Sequence, residues 1–171
     1  MPSNKILITG GFGKIGLPLA NTLCEQEKKV YVIDNLSNKN SFTKFKEMNF
    51  RVKTTFTDVE YINSIWNDES FATIIHLAGD DEIYNTVNIA SLYKKLVINN
   101  LRIIQKCIHH KSKLIYLHFN YDCSYRVYIE DQIISTIQFF GRVKDELEYT
   151  VINIDPTHTP EEIQAKIISV L

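Results

Sequence analysis

Six short runs of apolar and β-branched residues recur along the chain, at 5–9, 30–34, 51–57, 72–77, 113–119 and 150–154. Runs of this length with little polar alternation predict strands buried on both faces. Between them, apolar residues return at helical spacing. Ile15, Leu19, Ala20 and Leu23 mark a helix over 15–26. Phe42, Phe45 and Met48 mark one over 41–48, and Ile62, Ile65 and Trp66 one over 59–67. A long helix is expected over 87–109. Another is expected over 129–140, where Ile133, Ile137 and Phe140 share a stripe. The last helix carries its own start signal: Thr159 to cap it, Pro160 in the first turn and Glu162 to complete a capping box. Ile163, Ile167, Ile168 and Leu171 then form its apolar face. Strands alternating with helices predict an α/β fold, a doubly wound parallel sheet with helices on both faces and right-handed crossovers. At 171 residues, the chain 1–171 reads as one domain.

Composition excludes several classes without changing this picture. Hydrophobic residues are 44% and charged residues 23%, the balance of a globular domain and not of a disordered one. Lys+Arg total 19 against Asp+Glu 20, which gives no electrostatic reason to expect nucleic acid or an anionic membrane surface. No apolar run approaches the ~20 residues of a membrane helix. The N-terminal residues lead directly into a strand pattern, with no signal-peptide pattern expected. Cys24, Cys107 and Cys123 are odd in number and far apart. They predict free thiols in a reducing, cytoplasmic setting. Cys107-Ile108-His109-His110 has no second Cys/His pair at metal-site spacing, so no metal is expected.

The chemistry concentrates in Thr9-Gly10-Gly11-Phe12-Gly13-Lys14-Ile15-Gly16, between the first strand and the first helix. Gly10, Gly13 and Gly16 are spaced G-x-x-G-x-x-G. Gly10 permits a tight turn out of the strand, Gly13 leaves room for a pyrophosphate against the backbone, and Gly16 lets the helix lie close to the sheet. The amides through Lys14 and Ile15 at the helix start then meet the phosphates. Asp34 stands 18 positions beyond Gly16 at the end of the second strand, near the ~20-residue offset at which an acid takes the adenosine ribose hydroxyls. An acid there repels a 2′-phosphate, so the expected cofactor is NAD and not NADP. A phosphate loop of the Walker kind does not fit. Ile8 stands where its first glycine belongs, and Lys14 is followed by Ile15, not Ser or Thr. A purely structural turn remains the alternative.

The segments KILITGGFGKIG, VYVIDNLS, Thr57-Asp58-Val59 and TIIHLAG follow one another at a spacing that resembles the extended short-chain dehydrogenase/reductase family, in its nucleotide-sugar epimerase and dehydratase branch. The resemblance is strongest over the first half of the chain. It implies a Rossmann-like fold and a nucleotide-sugar ligand. It also implies that Asp34 and Asn35 hold the adenosine ribose, that Asp58 binds the adenine amino group with Val59 packed nearby, and that Leu77, Ala78 and Gly79 pass along the cofactor's ribose and pyrophosphate.

The second half departs from that family. Its chemistry uses a Ser at the end of the fifth strand and a Tyr-x-x-x-Lys on the next helix, with the tyrosine as acid/base. Here the strand ends Tyr116-Leu117-His118-Phe119-Asn120, without a serine. Tyr128 is the candidate catalytic tyrosine, taken to open the next helix, and Gln132 stands in the lysine position. Tyr121 and Tyr125 are rival counterparts, also without a lysine. His118 and Asn120 are the polar groups left to substitute. Asp80-Asp81-Glu82 follows the TIIHLAG segment, where the family often has a lysine, and Asp155 replaces an arginine. The chain is also expected to lack the family's substrate-binding lobe. His76 reads as a packed, hydrogen-bonded core histidine, and Trp66 and the phenylalanines at helical spacing as core. Ile133, Ile134, Ile137, Phe139 and Phe140 exceed what one helix face needs. In the resembled family this helix and the one before it make a dimer interface, which implies a homodimer; a fully buried helix accounts for the same residues. Three functional readings follow: an NAD-binding domain impaired in catalysis and serving a regulatory or scaffolding role, an active enzyme with rearranged catalytic groups, and an interaction module that binds no cofactor.

Overall fold

A computed structural model describes residues 4–37, 43–59, 62, 70–79, 89–119 and 124–171. The strands are β1 (Lys5–Thr9), β2 (Lys29–Asp34), β3 (Lys53–Phe56), β4 (Thr73–His76), β5 (Lys113–Phe119) and β6 (Tyr149–Ile154). The helices are α1 (Gly16–Glu25), α2 (Ile89–His110), α3 (Ser124–Gln138) and α4 (Pro160–Ile168). All strands are parallel, in the order β3-β2-β1-β4-β5-β6. The chain winds outward from β1 to β3 and then returns to place β4 on the other side of β1. That reversal opens a crevice at the carboxyl ends of β1 and β4, the place where open α/β sheets bind ligands.

The central strands β1 and β4 bury both faces because their side chains alternate between two cores, whereas the edge strand β3 is largely exposed. Ile6 and Ile8 of β1 pack with Leu19 and Leu23 of α1 and with Ile163 and Ile167 of α4. Leu7 points the other way, among Ile103 and Ile104 of α2 and Ile133 and Ile137 of α3. The expected doubly wound sheet with helices on both faces is therefore present.

Several element bounds differ from the sequence reading, each for a tertiary reason. Of the helix expected over 41–48, residues 41 and 42 lie outside the described residues, and Thr43–Glu47 is a 3-10 helix. Its Phe45 is 45% exposed and not core. The helix expected over 129–140 begins at Ser124, so Tyr128 lies in its second turn and does not open it. It ends in a wider π-type turn, Phe139–Val143, where Gly141 lies against the Tyr149 ring. Ile133 and Ile137 are buried within the chain's own core, while Phe139 is 44% exposed. Most of the helix expected over 59–67, including Trp66, lies outside the described residues, as do Asp80-Asp81-Glu82, Asn120, Tyr121 and Cys123.

The capping box of α4 forms as expected. The Thr159 hydroxyl accepts from the Glu162 amide, and the Glu162 carboxylate accepts from the Thr159 amide. Thr159→Ala is predicted to cost about 1 kcal/mol and to lower Tm by roughly 2–4 °C, read by thermal denaturation. The Thr159 amide holds the Glu162 carboxyl below the ordinary carboxylate range. Its contribution is therefore present above that range and lost as pH falls through the lowered value.

Candidate functional site

The turn leaving β1 is shaped by glycine and by hydrogen bonds to β2. Gly10 has φ +70°, and a Cβ there would sit 2.9 Å from the Ala78 backbone. A Cβ on Gly16 would meet the Gly10 carbonyl oxygen and the Gly11 Cα well inside contact distance. Both glycines are thus demanded by the fold. Gly13 and Gly79 are not. Among the described residues, a Cβ on Gly13 would touch only the Gly10 oxygen, at 3.1 Å, and one on Gly79 would touch nothing within 4 Å. Both lie at the ends of β1 and β4, where the described residues do not themselves require a glycine.

The amides of the turn divide in the same way. Those of Gly10 and Gly11 donate to the Ile33 carbonyl, and that of Gly13 to the Gly10 carbonyl. The Phe12 amide donates to Asp34 Oδ2 at 2.9 Å. Among the described residues, the amides of Lys14, Ile15 and Gly16 have no acceptor, and α1 has neither a side-chain cap nor an acid in its first turn. Bare donors at a helix N-terminus are an arrangement suited to an anion. The turn's one large side chain, Phe12, is buried in the core on the α1 side.

Asp34 is 9% exposed and lies at the end of β2, with its carboxylate turned toward the loop. Its Oδ1 accepts the Leu36 amide at 2.7 Å. Each oxygen keeps a lone pair for a further donor. Next to it, the Asn35 side-chain amide donates to Asp58 Oδ1 at 2.6 Å and its oxygen accepts from the Ser37 amide. Asn35 and Asp58 are thereby held beside Asp34, while Val59 is buried against the α2-side core. Leu77 and Ala78 leave β4 bonded to Thr9, through its carbonyl and its hydroxyl oxygen respectively. The structure therefore brings Gly10, Gly13, Lys14, Ile15, Gly16, Asp34, Asn35, Asp58, Leu77, Ala78 and Gly79 to one edge of the sheet.

His76 is buried beneath this edge. Its Nδ1 lies 2.6 Å from the Thr9 hydroxyl, and the Asn100 side chain bonds the ring. Asn100 Nδ2 is committed to the Leu96 carbonyl. With the ring neutral, the Thr9 hydroxyl and His76 Nδ1 share one proton across their contact. Burial pushes the His76 pKa down to about 4, against a smaller upward pull from Asn100. The group is neutral at pH 7 and ties β4 to β1 through Thr9 and to α2 through Asn100. Its partners stand 67 and 24 residues away in sequence, which is why sequence reasoning missed them. The folded pKa lies below the unfolded one, so stability falls as pH drops from the unfolded value toward 4. We predict a loss of about 2 kcal/mol between pH 7.5 and 5, and a flatter pH dependence in His76→Gln, both read by urea unfolding.

The proposed proton-transfer residues are less well assembled. Tyr128 is 55% exposed on α3, and Gln132, one turn on, is exposed too. His118 and Asn153 are paired across β5 and β6 at 3.0 Å. Asp155 turns back on its own loop, accepting from the Thr157 amide and hydroxyl. These two bonds hold its carboxyl below the ordinary range. One buried carboxylate was not anticipated: Glu130 of α3 is 9% exposed, with Oε2 at 3.4 Å from the Tyr116 hydroxyl.

Comparison with known proteins matches this architecture. The family model described as GDP-mannose 4,6 dehydratase matches residues 7–150. A dTDP-D-glucose 4,6-dehydratase of Dictyostelium discoideum is 33% identical over 122 residues, covering 66% of this chain and 28% of that protein. The UDP-glucose 4-epimerase of Thermotoga maritima, solved with UDP-glucose, superposes with a TM-score of 0.73 at 24% identity, over 87% of this chain and 54% of that one. The UDP-glucose 4-epimerase of Brucella ovis, solved with NAD, gives 0.70 at 15% identity, over 88% and 51%. The chain spans 17% to 33% of the length of the curated relatives it matches.

Proposed function

The chain belongs to the GDP-mannose 4,6-dehydratase family, and on that premise we propose that it binds NAD in the crevice at the ends of β1 and β4. The observation that carries this reading is the pairing of bare amides at Lys14, Ile15 and Gly16 with the buried carboxylate of Asp34. Diphosphate meets the amides. The adenosine ribose meets Asp34 and Asn35, and the adenine edge meets Asp58 beside Val59. Leu77, Ala78 and Gly79 run along the remaining length, with Gly13 and Gly79 supplying space. When bound, NAD supplies a hydride acceptor. The natural second ligand of such a site is a nucleotide-sugar.

We propose further that tyrosine-driven proton transfer is impaired, leaving a cofactor-dependent regulatory or scaffolding role. Two observations support this. Tyr128 has an uncharged Gln132 where a lysine would assist a phenolate, and β5 ends in Tyr116-Leu117-His118-Phe119 with no serine. The test is incubation with NAD and UDP- or dTDP-sugars, following nicotinamide reduction by absorbance and sugar configuration by NMR. The proposal expects neither to change. Turnover that is abolished by Tyr128→Phe would instead establish an active enzyme.

A homodimer through α2 and α3 is part of the same proposal, supported by the exposed apolar residues Tyr93 and Leu101 of α2 and Phe139 just after α3. Sedimentation at micromolar concentration reads it directly. Cys24 and Cys107 are buried free thiols, which supports a reducing, cytoplasmic setting. Among the described residues no helix is long and apolar enough to cross a membrane.

A further inference from the structure

β6 ends the sheet on its side and pairs with β5 alone among the described residues. Its ladder has a definite phase. The Leu114 amide donates to the Glu148 carbonyl at 2.8 Å, and Leu114 is the register partner of Tyr149. In a parallel ladder both backbone groups of a residue point the same way, and successive residues alternate. The backbone of Thr150, Ile152 and Ile154 therefore turns toward β5, and that of Tyr149, Val151 and Asn153 turns away from the sheet. Residues 124–171 are described without a break, and among the described residues nothing bonds these three outward amides and carbonyls. Asn153 is exposed, and Tyr149, Thr150 and Val151 are half-buried. The two edges of the sheet also differ in kind. β3 is four residues long and starts with Lys53, the short, charged type of edge that resists pairing. β6 is six residues long, with neither a charge nor a proline. Its Ile152 and Ile154 are committed to the core on the α1 side, and Tyr149 and Val151 pack against the other core. What β6 leaves open is its backbone, on a strand already ordered by its own packing.

We propose that β6 is a self-pairing edge, through which two copies of this chain join β6 to β6 antiparallel about a two-fold axis at Val151 and extend one sheet across both. The phase of the outward groups fixes the register. Val151 faces Val151 of the second copy and Tyr149 faces its Asn153, so that outward amides meet outward carbonyls in about six hydrogen bonds. A slip of one residue would set outward groups against inward ones and lose them. In this register Thr150 stands opposite Ile152, a β-branched pair on one face, and no charged side chain opposes another within the strands. A two-fold axis perpendicular to the sheet also keeps the α3 side of one copy beside the α3 side of the other, and the α4 sides likewise, so an identical strand fits this edge face for face. The edge is remote in the strand order from the ends of β1 and β4, and the inference does not depend on the NAD reading.

The test is NMR hydrogen exchange of the full chain, read amide by amide along β6, with the sedimenting mass measured on the same samples. Thr150, Ile152 and Ile154 are expected to exchange slowly throughout, as partners of β5. Tyr149, Val151 and Asn153 are expected to slow roughly tenfold or more as the chain associates. Val151→Pro removes one outward amide and no bond to β5, at the kind of edge position where proline is tolerated. It is expected to return Tyr149 and Asn153 to fast exchange while Thr150 and Ile152 stay protected. Outward amides that remain fast at the highest concentration overturn the proposal. So do slow outward amides in a chain that sediments as a monomer, and slow exchange at Tyr149 and Asn153 that survives Val151→Pro. Asn153→Pro, read at Tyr149 and Val151, gives the same comparison should Val151→Pro not fold, as judged by circular dichroism. Association through α2 and α3 alone leaves the outward amides fast, so the two interfaces are told apart.

Discussion

Gly13→Val is expected to weaken NAD binding roughly a thousandfold, about 4 kcal/mol, while leaving the melting temperature of the free protein within ~2 °C of wild type. The two halves of this result come from the same geometry. A Cβ at Gly13 has one close neighbour among the described residues, the Gly10 carbonyl oxygen at 3.1 Å, so the loop must yield by a few tenths of an ångström there, far less than at Gly16. A diphosphate has no such latitude, because a branched side chain holds it away from the Lys14 and Ile15 amides. Losing two charge-assisted hydrogen bonds at about 1.5–3 kcal/mol each accounts for the magnitude. Gly16 provides the contrast. A Cβ there strikes backbone atoms of Gly10 and Gly11 that have no freedom to retreat. Gly16→Ala should therefore cost about 2–3 kcal/mol of stability and lower Tm by roughly 4–12 °C. Thermal melts and calorimetry on the two variants separate a glycine kept for a ligand from one kept for the chain.

Asp34→Ala should damage both properties. The ribose loses its acceptor, and hydrogen bonds to a charged group at about 1.5–3 kcal/mol translate into a tenfold to hundredfold loss of NAD affinity. The Phe12 and Leu36 amides also lose their acceptor. An unsatisfied buried amide costs about 1–3 kcal/mol, so Tm falls as well, and the loosened loop adds to the loss of affinity. Asp34→Asn should fall between, because its side-chain oxygen still serves one of the two amides. A stable Asp34→Ala protein with undiminished NAD affinity would remove Asp34 from the site.

The sheet was legible because its central strands are short runs dominated by apolar and β-branched residues; β1 and β5 coincide with the runs at 5–9 and 113–119. The capped start of α4 was legible because Thr159, Pro160 and Glu162 encode it locally. What sequence missed depends on contacts distant along the chain. Phe45 follows helical spacing, yet its ring turns to Phe12 and Phe56 across the sheet edge. The start of α3 at Ser124 was hidden because Ser124-Tyr125-Arg126 shows no apolar period. In the site, the glycine spacing and Asp34 could be read directly. The bond that the Phe12 amide donates to Asp34 could not. Nor could the Thr9–His76–Asn100 connection, or the division of glycines into those the fold requires and those it does not. Each of these needs the loop's three-dimensional path.

The most direct test of the account is calorimetric titration of the purified full chain with NAD, with its melting temperature followed in parallel. The account predicts saturable binding at one site per chain. At a hundredfold excess over Kd it predicts a stabilisation of about 2.7 kcal/mol, a rise in Tm of roughly 5–11 °C. A well-folded protein that gives neither heat nor a shift in Tm at millimolar NAD would contradict it.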